Sequence, residues 1–145
     1  MCEYFLTRMR IMRIRDKSTK IIYPELSYKL NGIFYEVHNE LGFYGKEKQY
    51  SNAIELYLKK NNLKYEREKA LPVSFSEGNI GKNVIDFLVE GRILIEVKAK
   101  RFITREDYSQ TQRYLRAFNL KLGMLVNFHD RILKPKRVIN SMAKE

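Results

Sequence analysis

The sequence predicts one α+β domain in which a mixed β-sheet is flanked by helices, with the elements in the order ααβββαβ. Three observations support this: two N-terminal stretches with apolar residues at helical spacing, two β-branched segments around a glycine turn, and a capped helix leading into a final apolar strand. The last strand follows a helical connection, so we expect a right-handed β-α-β crossover there. A length of 145 residues with 44% hydrophobic content suits one domain with its own core.

The first two elements are predicted to be amphipathic helices. Pro24 stands in the first turn of one helix, where proline is tolerated, and Gly42 ends it. The second helix is predicted from Glu47 to Lys60, with Asn61 as a stop. The apolar stripes are Leu26, Leu30, Ile33, Phe34, Val37 and Leu41 in the first helix, and Tyr50, Ala53, Ile54, Tyr57 and Leu58 in the second.

The remaining elements follow from strand and capping patterns. Residues 71–75 are predicted as a short strand, and 83–89 with 92–99 as a β-hairpin. A capping box at Thr104–Asp107 predicts a helix that ends at Phe118. Residues 122–128 are predicted as a last buried strand.

The hairpin carries charges inside apolar segments. Asp86, Glu96 and Lys98 stand among valine, isoleucine, leucine and phenylalanine, where an ionisable group costs several kcal/mol unless it is paired or bound to metal. Two carboxylates and an ammonium group can together hold a divalent cation and polarise a phosphate. The alternative is a buried ion pair, which accounts for one carboxylate and leaves the second unexplained.

The loop of the hairpin decides whether these side chains can meet. A two-residue loop at 90–91 places the carboxylates on opposite faces of the sheet. A three-residue loop at 89–91, with Gly91 in the left-handed conformation, brings all three charged side chains onto one face. Glycine adopts positive φ without steric cost, so we expect the three-residue loop. Its cross-strand pairs are Leu88 with Arg92 and Asp86 with Leu94.

Composition narrows the class of partner. A formal net charge of +11 makes a polyanion the expected partner, although charge alone does not choose between DNA, RNA and anionic lipid. No apolar run approaches about 18 residues and no secretory signal is evident, so we expect a cytoplasmic protein without membrane spans. The single cysteine, Cys2, cannot form an internal disulfide. An oligomer is possible but not evident from the sequence.

Two basic segments lie outside the predicted core elements. Residues 1–22 form a basic arm ahead of a domain at 23–145, and the arm is either a phosphate-tracking segment or a solvated extension. The second segment, at 134–137, is expected to be a solvated turn. The cations are Arg8, Arg10, Arg13, Arg15, Lys17 and Lys20 in the arm, and Lys134, Lys136 and Arg137 in the turn.

Several segments together resemble the GxxExxY proteins, a branch of the PD-(D/E)XK nuclease superfamily. The likeness covers residues 24–140 in unbroken order. It departs from the family pattern at Tyr44, where the naming glycine would fall. Ile85 stands before Asp86 in place of the proline of the motif, which the wider superfamily allows. The segments are Val37–Gly42, Glu47–Tyr50, Asp86–Gly91, Ile95–Lys98, Tyr114–Leu115 and Leu122–Phe128.

The resemblance implies a restriction-endonuclease-like core and a metal-dependent nuclease. Asp86 and Glu96, with the Val97 carbonyl, would hold Mg²⁺, for which Mn²⁺ is a possible substitute. Lys98 would orient the attacking water or stabilise the charge that develops on the phosphate. Glu47 resembles the helical glutamate that completes such a site, although an acidic residue is also common at a helix N-terminus.

Other residues are candidates for supporting roles beside the metal site. Gln110 and Tyr114 lie four apart on one helix face and resemble a Gln-x-x-x-Tyr motif beside the metal site, although Tyr114 could instead pack against the sheet. His38 and His129 are expected to be a helix-packing residue and a loop residue. The candidate nucleic-acid path is Lys100, Arg101, Arg105, Arg113 and Arg116.

The predicted function is metal-dependent hydrolysis of phosphodiester bonds in DNA, with RNA less favoured. Contacts through these cations would be independent of base sequence and sensitive to salt. The alternative is a nucleic-acid-binding accessory module that keeps the fold without activity of its own.

Overall fold

In a computed structural model of the chain, the structure describes residues 21–72 and 84–144. The basic arm up to residue 20, residues 73–75 of one predicted strand and the first residue of the predicted hairpin lie outside these ranges. The helices are α1 (Pro24–Leu41), α2 (Glu47–Lys60) and α3 (Arg105–Phe118). The strands are β1 (Tyr65–Ala70), β2 (Val84–Val89), β3 (Ile93–Lys98), β4 (Leu122–Asn127) and β5 (Lys136–Ile139).

The five strands form one mixed sheet in the order β1-β2-β3-β4-β5. Neighbouring strands are antiparallel except β3 and β4, which are parallel and are connected through α3. This arrangement confirms the predicted α+β class and the predicted β-α-β unit. It also places the C-terminal ends of β3 and β4 side by side at one edge of the sheet.

The helices have the bounds that their apolar spacing predicted. In α1 the buried side chains include Leu30, Phe34 and Val37, and in α2 they include Ile54 and Leu58. The predicted capping box of α3 is present, with Thr104 as N-cap. Leu41, the last residue of the predicted apolar stripe of α1, is exposed and is not part of the core.

The helices cover the two faces of the sheet. One core cluster joins α1 and α2 to residues such as Phe87 and Ile95, and the other joins α3 to residues such as Leu88 and Leu94. The contact between α3 and the sheet is close at Gly123, where an added Cβ would lie 3.1 Å from the Thr111 methyl group.

The strand predicted at 71–75 was wrong in position, since β1 is Tyr65–Ala70. β1 lies at the edge of the sheet and carries charges along its length, so it lacks the apolar run that marks a buried strand. Its alternation is still visible in burial: Arg67 is partly buried and forms a 3.2 Å ion pair with Glu55 of α2, whereas Glu66 is exposed.

The turn predicted around the basic residues 134–137 was also wrong. Lys136 and Arg137 form the first half of β5, a four-residue edge strand in which Val138 is buried. Arg137 donates to the Ser27 hydroxyl and to the Ile22 carbonyl, each at 2.8 Å. The guanidinium therefore ties β5 to the start of α1, which a count of charges cannot show.

The hairpin loop has the predicted length but lies one residue further along the chain. The loop residues are 90–92, and Leu88 faces Leu94 rather than Arg92. Val89 stays in the sheet because it pairs with both Tyr65 and Ile93. The shift changes the register by two residues, which by itself leaves the facing of paired side chains as predicted, although β2 departs from regular alternation at Asp86. Gly91 has φ 63, as predicted, and Glu90 also has positive φ.

Candidate active site

The two hairpin carboxylates lie where the ladder between β2 and β3 stops. The outermost paired positions of that ladder are Phe87 and Ile95. Beyond them, the Asp86 N–H donates to Glu96 Oε1 at 3.2 Å, and the Val97 N–H donates to Asp86 Oδ2 at 2.7 Å. Each carboxylate thus accepts a backbone hydrogen bond from the opposite strand. Asp86 therefore faces Glu96, not Leu94 as predicted, and the two groups are close neighbours.

The backbone turns at Asp86. Strict alternation would place Ile85 in the same layer as Phe87, yet Ile85 packs with Leu88 in the layer under α3. On β1, between the positions that pair with Phe87 and Ile85, Glu68 has φ 52, an unfavourable value for a residue with a side chain. Such backbone strain is often retained at functional sites.

Asp86 borders an open cleft of about 320 Å³ between α2, β1 and β2. Asp86 is partly exposed, whereas Glu96 is fully buried. The cleft is lined by Glu47, Lys48, Ser51, Arg67, Glu68 and Asp86. The structure therefore brings Glu47, a predicted site residue, to the same cleft as Asp86.

Glu47 is held in place by the turn that precedes α2. The Tyr50 hydroxyl donates to the Gly42 carbonyl at 2.7 Å and accepts from the Gly45 N–H at 2.9 Å. A Cβ on Gly45 would lie 3.0 Å from the Tyr50 ring, so a side chain there would displace it. The close approach of Tyr50 accounts for glycine at 45, whereas Gly42 has φ 71, a backbone conformation that favours glycine. The hydrogen bonds of Tyr50 fix the N-terminus of α2, on which Glu47 lies.

The two histidines hold this turn against the end of the sheet. His38 Nε2 donates to the Asp130 carbonyl at 2.8 Å, and His129 Nε2 donates to the Gly45 carbonyl at 2.7 Å. Both contacts agree with the predicted packing role for His38 and loop position for His129.

Lys98, at the end of β3, lies against α3. Its Nζ donates to Gln110 Oε1 at 3.3 Å and is 3.9 Å from Asp107 Oδ1. Asp107 is closer to Lys100, whose Nζ donates to Oδ2 at 2.8 Å, so we regard Lys100 as its main ionic partner. The predicted neighbourhood of Lys98 and Gln110 is therefore present.

The Asp107 carboxylate links β3 to the start of α3. Besides Lys100, it accepts from the Thr104 N–H at 2.8 Å and from the Thr104 hydroxyl at 3.1 Å. Burial by itself would raise the pKa of Asp107, but the hydrogen bonds from Lys100 and Thr104 outweigh it and lower that pKa below its ordinary value. Asp107 is therefore an anion at neutral pH.

Tyr114 lies in the core beneath α3. The Tyr114 ring is fully buried in the core cluster under α3, and the Arg113 guanidinium lies 5.3 Å from the ring centroid. This position agrees with the packing alternative for Tyr114. Gln110, one turn earlier on α3, accepts a hydrogen bond from Lys98.

Of the candidate nucleic-acid residues, Lys100, Arg101 and Arg105 follow the C-terminal end of β3, whereas Arg113 and Arg116 lie further along α3 toward its C-terminus. Arg105, Arg113 and Arg116 are exposed on α3, and Arg101 is exposed in the preceding loop. Lys100 differs, since its backbone N–H and carbonyl bond to the Asn127 side chain at 3.0 and 2.7 Å. Lys100 thus joins β3 to β4.

The donor set suits one kind of cation. Within residues 21–72 and 84–144, no three His, Cys, Asp or Glu side chains lie close enough to hold a metal ion. The chain therefore offers Asp86 and Glu96 as a carboxylate pair, not a closed cage. Mg²⁺ is commonly held by one or two carboxylates together with waters and substrate phosphate, so the residues fit it, whereas a structural zinc site needs four ligands.

Sequence reasoning missed three polar residues of this region. Glu68 borders the cleft, Asp107 anchors Lys100, and Asn127 brackets the Lys100 backbone. Asp107 was recognised only as part of a helix cap. Glu68 lies in the strand that was predicted in the wrong place, so no pattern connected it with Asp86.

Comparison of the chain with known proteins identifies a family. A family model described as the PD-(D/E)XK nuclease superfamily matches residues 24–139. One solved structure, titled "Crystal structure of SSO0001", is 18% identical to this chain over 97% of its length and 77% of the other chain, with a TM-score of 0.47. No curated protein matches the chain. In the part of the chain that the structure describes, no helix is long and apolar enough to cross a membrane. The match over residues 24–139 spans most of the sequence, and on it the chain belongs to the PD-(D/E)XK nuclease superfamily.

Proposed function

We propose that this protein is a metal-dependent nuclease that hydrolyses phosphodiester bonds of DNA, with RNA a poorer substrate. One observation carries the proposal: Asp86 and Glu96 are neighbours, each accepting a backbone hydrogen bond from the other's strand, and Lys98 lies two residues further along β3. Asp86 of this pair borders an open cleft, and the chain has a net charge of +11. A membership in the GxxExxY branch is supported by the Glu47–Tyr50 spacing and by the role of Tyr50 in closing the turn before Glu47.

Asp86, Glu96 and the Val97 carbonyl are the groups that would hold Mg²⁺ or Mn²⁺. When bound, such an ion supplies an activated water and neutralises charge on the phosphate. The chain's own contribution is to keep two carboxylates side by side. It does so with the amides of Asp86 and Val97, which donate to Glu96 and Asp86 respectively.

Lys98 supplies positive charge next to the carboxylates. Its side chain is mostly buried and is directed by the Gln110 carbonyl oxygen, with Asp107 close behind. An ammonium group fixed in a partly dry site stabilises charge that develops on a phosphate without a cost of reorientation. Lys98 therefore acts on the transition state more than on the ground state.

Glu47 contributes from the opposite wall of the cleft. Its position at the start of α2 puts it across from Asp86, where it can orient a water or a hydrated ion. Exposed cations on α3 and in the loop before it would follow the phosphate backbone. Since such contacts read no base edges, cleavage should show little sequence preference.

The proposal is tested by incubating the protein with single- and double-stranded DNA and RNA, each with Mg²⁺, Mn²⁺ or EDTA. We expect DNA cleavage with either metal and none in EDTA. Equal cleavage in EDTA would contradict the mechanism. Binding to DNA without cleavage under every condition would instead favour the accessory-module alternative.

A further inference from the structure

An exposed aromatic ring lies next to the end of β3, in the loop that connects Lys98 to α3. Phe102 is 67% exposed, although burial of a phenylalanine side chain is energetically favourable. Its neighbours in the chain are cationic: Lys100 and Arg101 precede it, and Arg105 follows it. An apolar ring in a basic loop is not explained by packing within the described residues.

The ring is paired with a guanidinium group. The Cζ atom of Arg101 lies 5.3 Å from the centre of the Phe102 ring, within the range of a cation–π contact. A flat π-face and an adjacent positive charge are the two components with which proteins bind a single-stranded base and its phosphate.

The loop is anchored on both sides of the ring. Before it, the Lys100 N–H and carbonyl bond to the Asn127 side chain at 3.0 and 2.7 Å. After it, the Thr104 N–H bonds to Asp107 at 2.8 Å, and Asp107 lies 3.9 Å from the Lys98 ammonium group. The ring is therefore attached to the same hydrogen-bonded frame as Lys98, which limits the entropy lost when a ligand stacks on it.

We propose that Phe102, supported by Arg101, is a stacking site for an unpaired base of single-stranded DNA. The inference rests on the proposed function and adds the strandedness of the substrate. In a duplex the faces of all internal bases are covered by neighbouring base pairs, so only the two terminal pairs offer a face to the ring, whereas phosphate contacts are available in both forms. Stacking is also tolerant of base identity, in keeping with cations that contact only the backbone.

The test is a binding measurement in EDTA, so that it does not depend on cleavage. Fluorescence anisotropy compares labelled oligothymidylate, the same oligonucleotide with abasic sites replacing its central bases, and a blunt duplex. We expect Phe102→Leu to weaken oligothymidylate binding about 5-fold or more. The same variant should leave the affinities for the abasic oligonucleotide and the duplex unchanged, and Phe102→Trp should bind oligothymidylate at least as well as the native protein.

A matched control is available on α2. Leu56 is also 67% exposed, and it is nine residues from Glu47, which places it half a turn away around the helix axis. Leu56→Ala should change none of the three affinities. Equal binding of oligothymidylate by Phe102→Leu and the native protein would overturn the proposal, as would an equal loss on the duplex.

The result is separable from that of the cleavage assay. A protein that cleaves DNA with metal but shows no effect of Phe102→Leu would retain the proposed function and lose the stacking site. A protein that never cleaves but loses oligothymidylate affinity in Phe102→Leu would retain the stacking site and lose the nuclease.

Discussion

At the scale of single residues, the side chains of Asp86 and Glu96 are each positioned by a backbone amide of the opposite strand. The amides of Asp86 and Val97 donate to the two carboxylates, and amide donors stabilise negative charge on an acceptor. Two carboxylates placed side by side repel each other when both are ionised, and a bound cation would offset that repulsion. The hairpin backbone therefore holds the two carboxylates next to each other, as the proposed metal site requires.

We expect Lys98→Ala to lower the single-turnover cleavage rate by about 100-fold, because a positioned donor to developing charge is removed. Metal affinity should change much less, since the carboxylates are untouched. Titrating Mg²⁺ in a single-turnover assay separates the two effects. A variant with a native rate at saturating metal would show that Lys98 has no part in the chemistry.

Some of these residues could be predicted from the sequence and others could not. Asp86, Glu96 and Lys98 were identifiable because charge is costly inside β-branched segments. Glu68 and Asn127 were not, since their roles depend on which backbone atoms the sheet brings beside them. Burial of the Tyr114 ring also depends on how α3 is seated on the sheet.

At the scale of elements, the start of α3 is the anchor of the site. Thr104 and Asp107 form its capping box, and Lys100 of the preceding loop is bound to the same carboxylate. The helix thereby holds Gln110 against Lys98. Weakening the anchor should loosen that contact before it unfolds the domain.

We expect Asp107→Asn to lower the free energy of unfolding by about 2 kcal/mol at pH 7, because a charged hydrogen bond from Lys100 is lost. The folded-state pKa of Asp107 is lowered, so its stabilisation is fully present above the unfolded pKa and is lost as the pH falls through the folded value. The difference between native protein and variant should therefore shrink once the pH drops below about 4. Urea unfolding followed by circular dichroism across this range measures it.

The matched control is Glu106→Gln, which alters an exposed acid in the same helical turn. At pH 7, Glu106→Gln should lower the free energy of unfolding by well under half as much as Asp107→Asn does. A difference for Asp107→Asn that stays constant down to strongly acidic pH would contradict an ionic role for its carboxylate.

The two elements that the sequence did not predict correctly, β1 and β5, lie at the edges of the sheet. The helices and the central strands have strong apolar periodicity, and their positions followed from it. β1 and β5 are edge strands with charged side chains, and their place is set by pairing with β2 and β4 rather than by their own composition. The hairpin loop was shifted because Val89 is retained in the sheet by Tyr65 of β1, a strand that local sequence did not reveal.

At the scale of the whole molecule, net charge and fold together favour a nucleic-acid substrate. The charge of +11 attracts any polyanion, and membership in the nuclease superfamily makes that polyanion a nucleic acid. Exposed arginines on α3 lie on the element that also carries Gln110. This helix is therefore the expected path of the backbone.

We expect replacement of Arg105, Arg113 and Arg116 by glutamine to flatten the log–log dependence of duplex affinity on salt. The slope should fall by up to about 0.9 for each arginine that contacts a phosphate, because each contact releases condensed counterion. Anisotropy titrations over a series of salt concentrations give the slope. A triple variant with the native slope would place the path on another face.

The control for that variant removes the same charge elsewhere. Lys29 lies on α1, and Lys59 and Lys60 lie at the end of α2 opposite to Glu47; all three are exposed. Their replacement by glutamine should leave the salt slope largely unchanged. An equal loss in both variants would show a general charge effect rather than a binding path.

The most direct test of the account is cleavage of DNA by Asp86→Asn and Glu96→Gln, measured with Mg²⁺ beside the native protein. Both variants keep the side-chain shape, so circular dichroism and the unfolding midpoint should remain close to native, and Glu25→Gln, an exposed acid at the start of α1, serves as the control. The account predicts that native protein and Glu25→Gln cleave DNA in Mg²⁺ and not in EDTA, and that neither site variant cleaves. Native activity in a variant that lacks both carboxylates would contradict it.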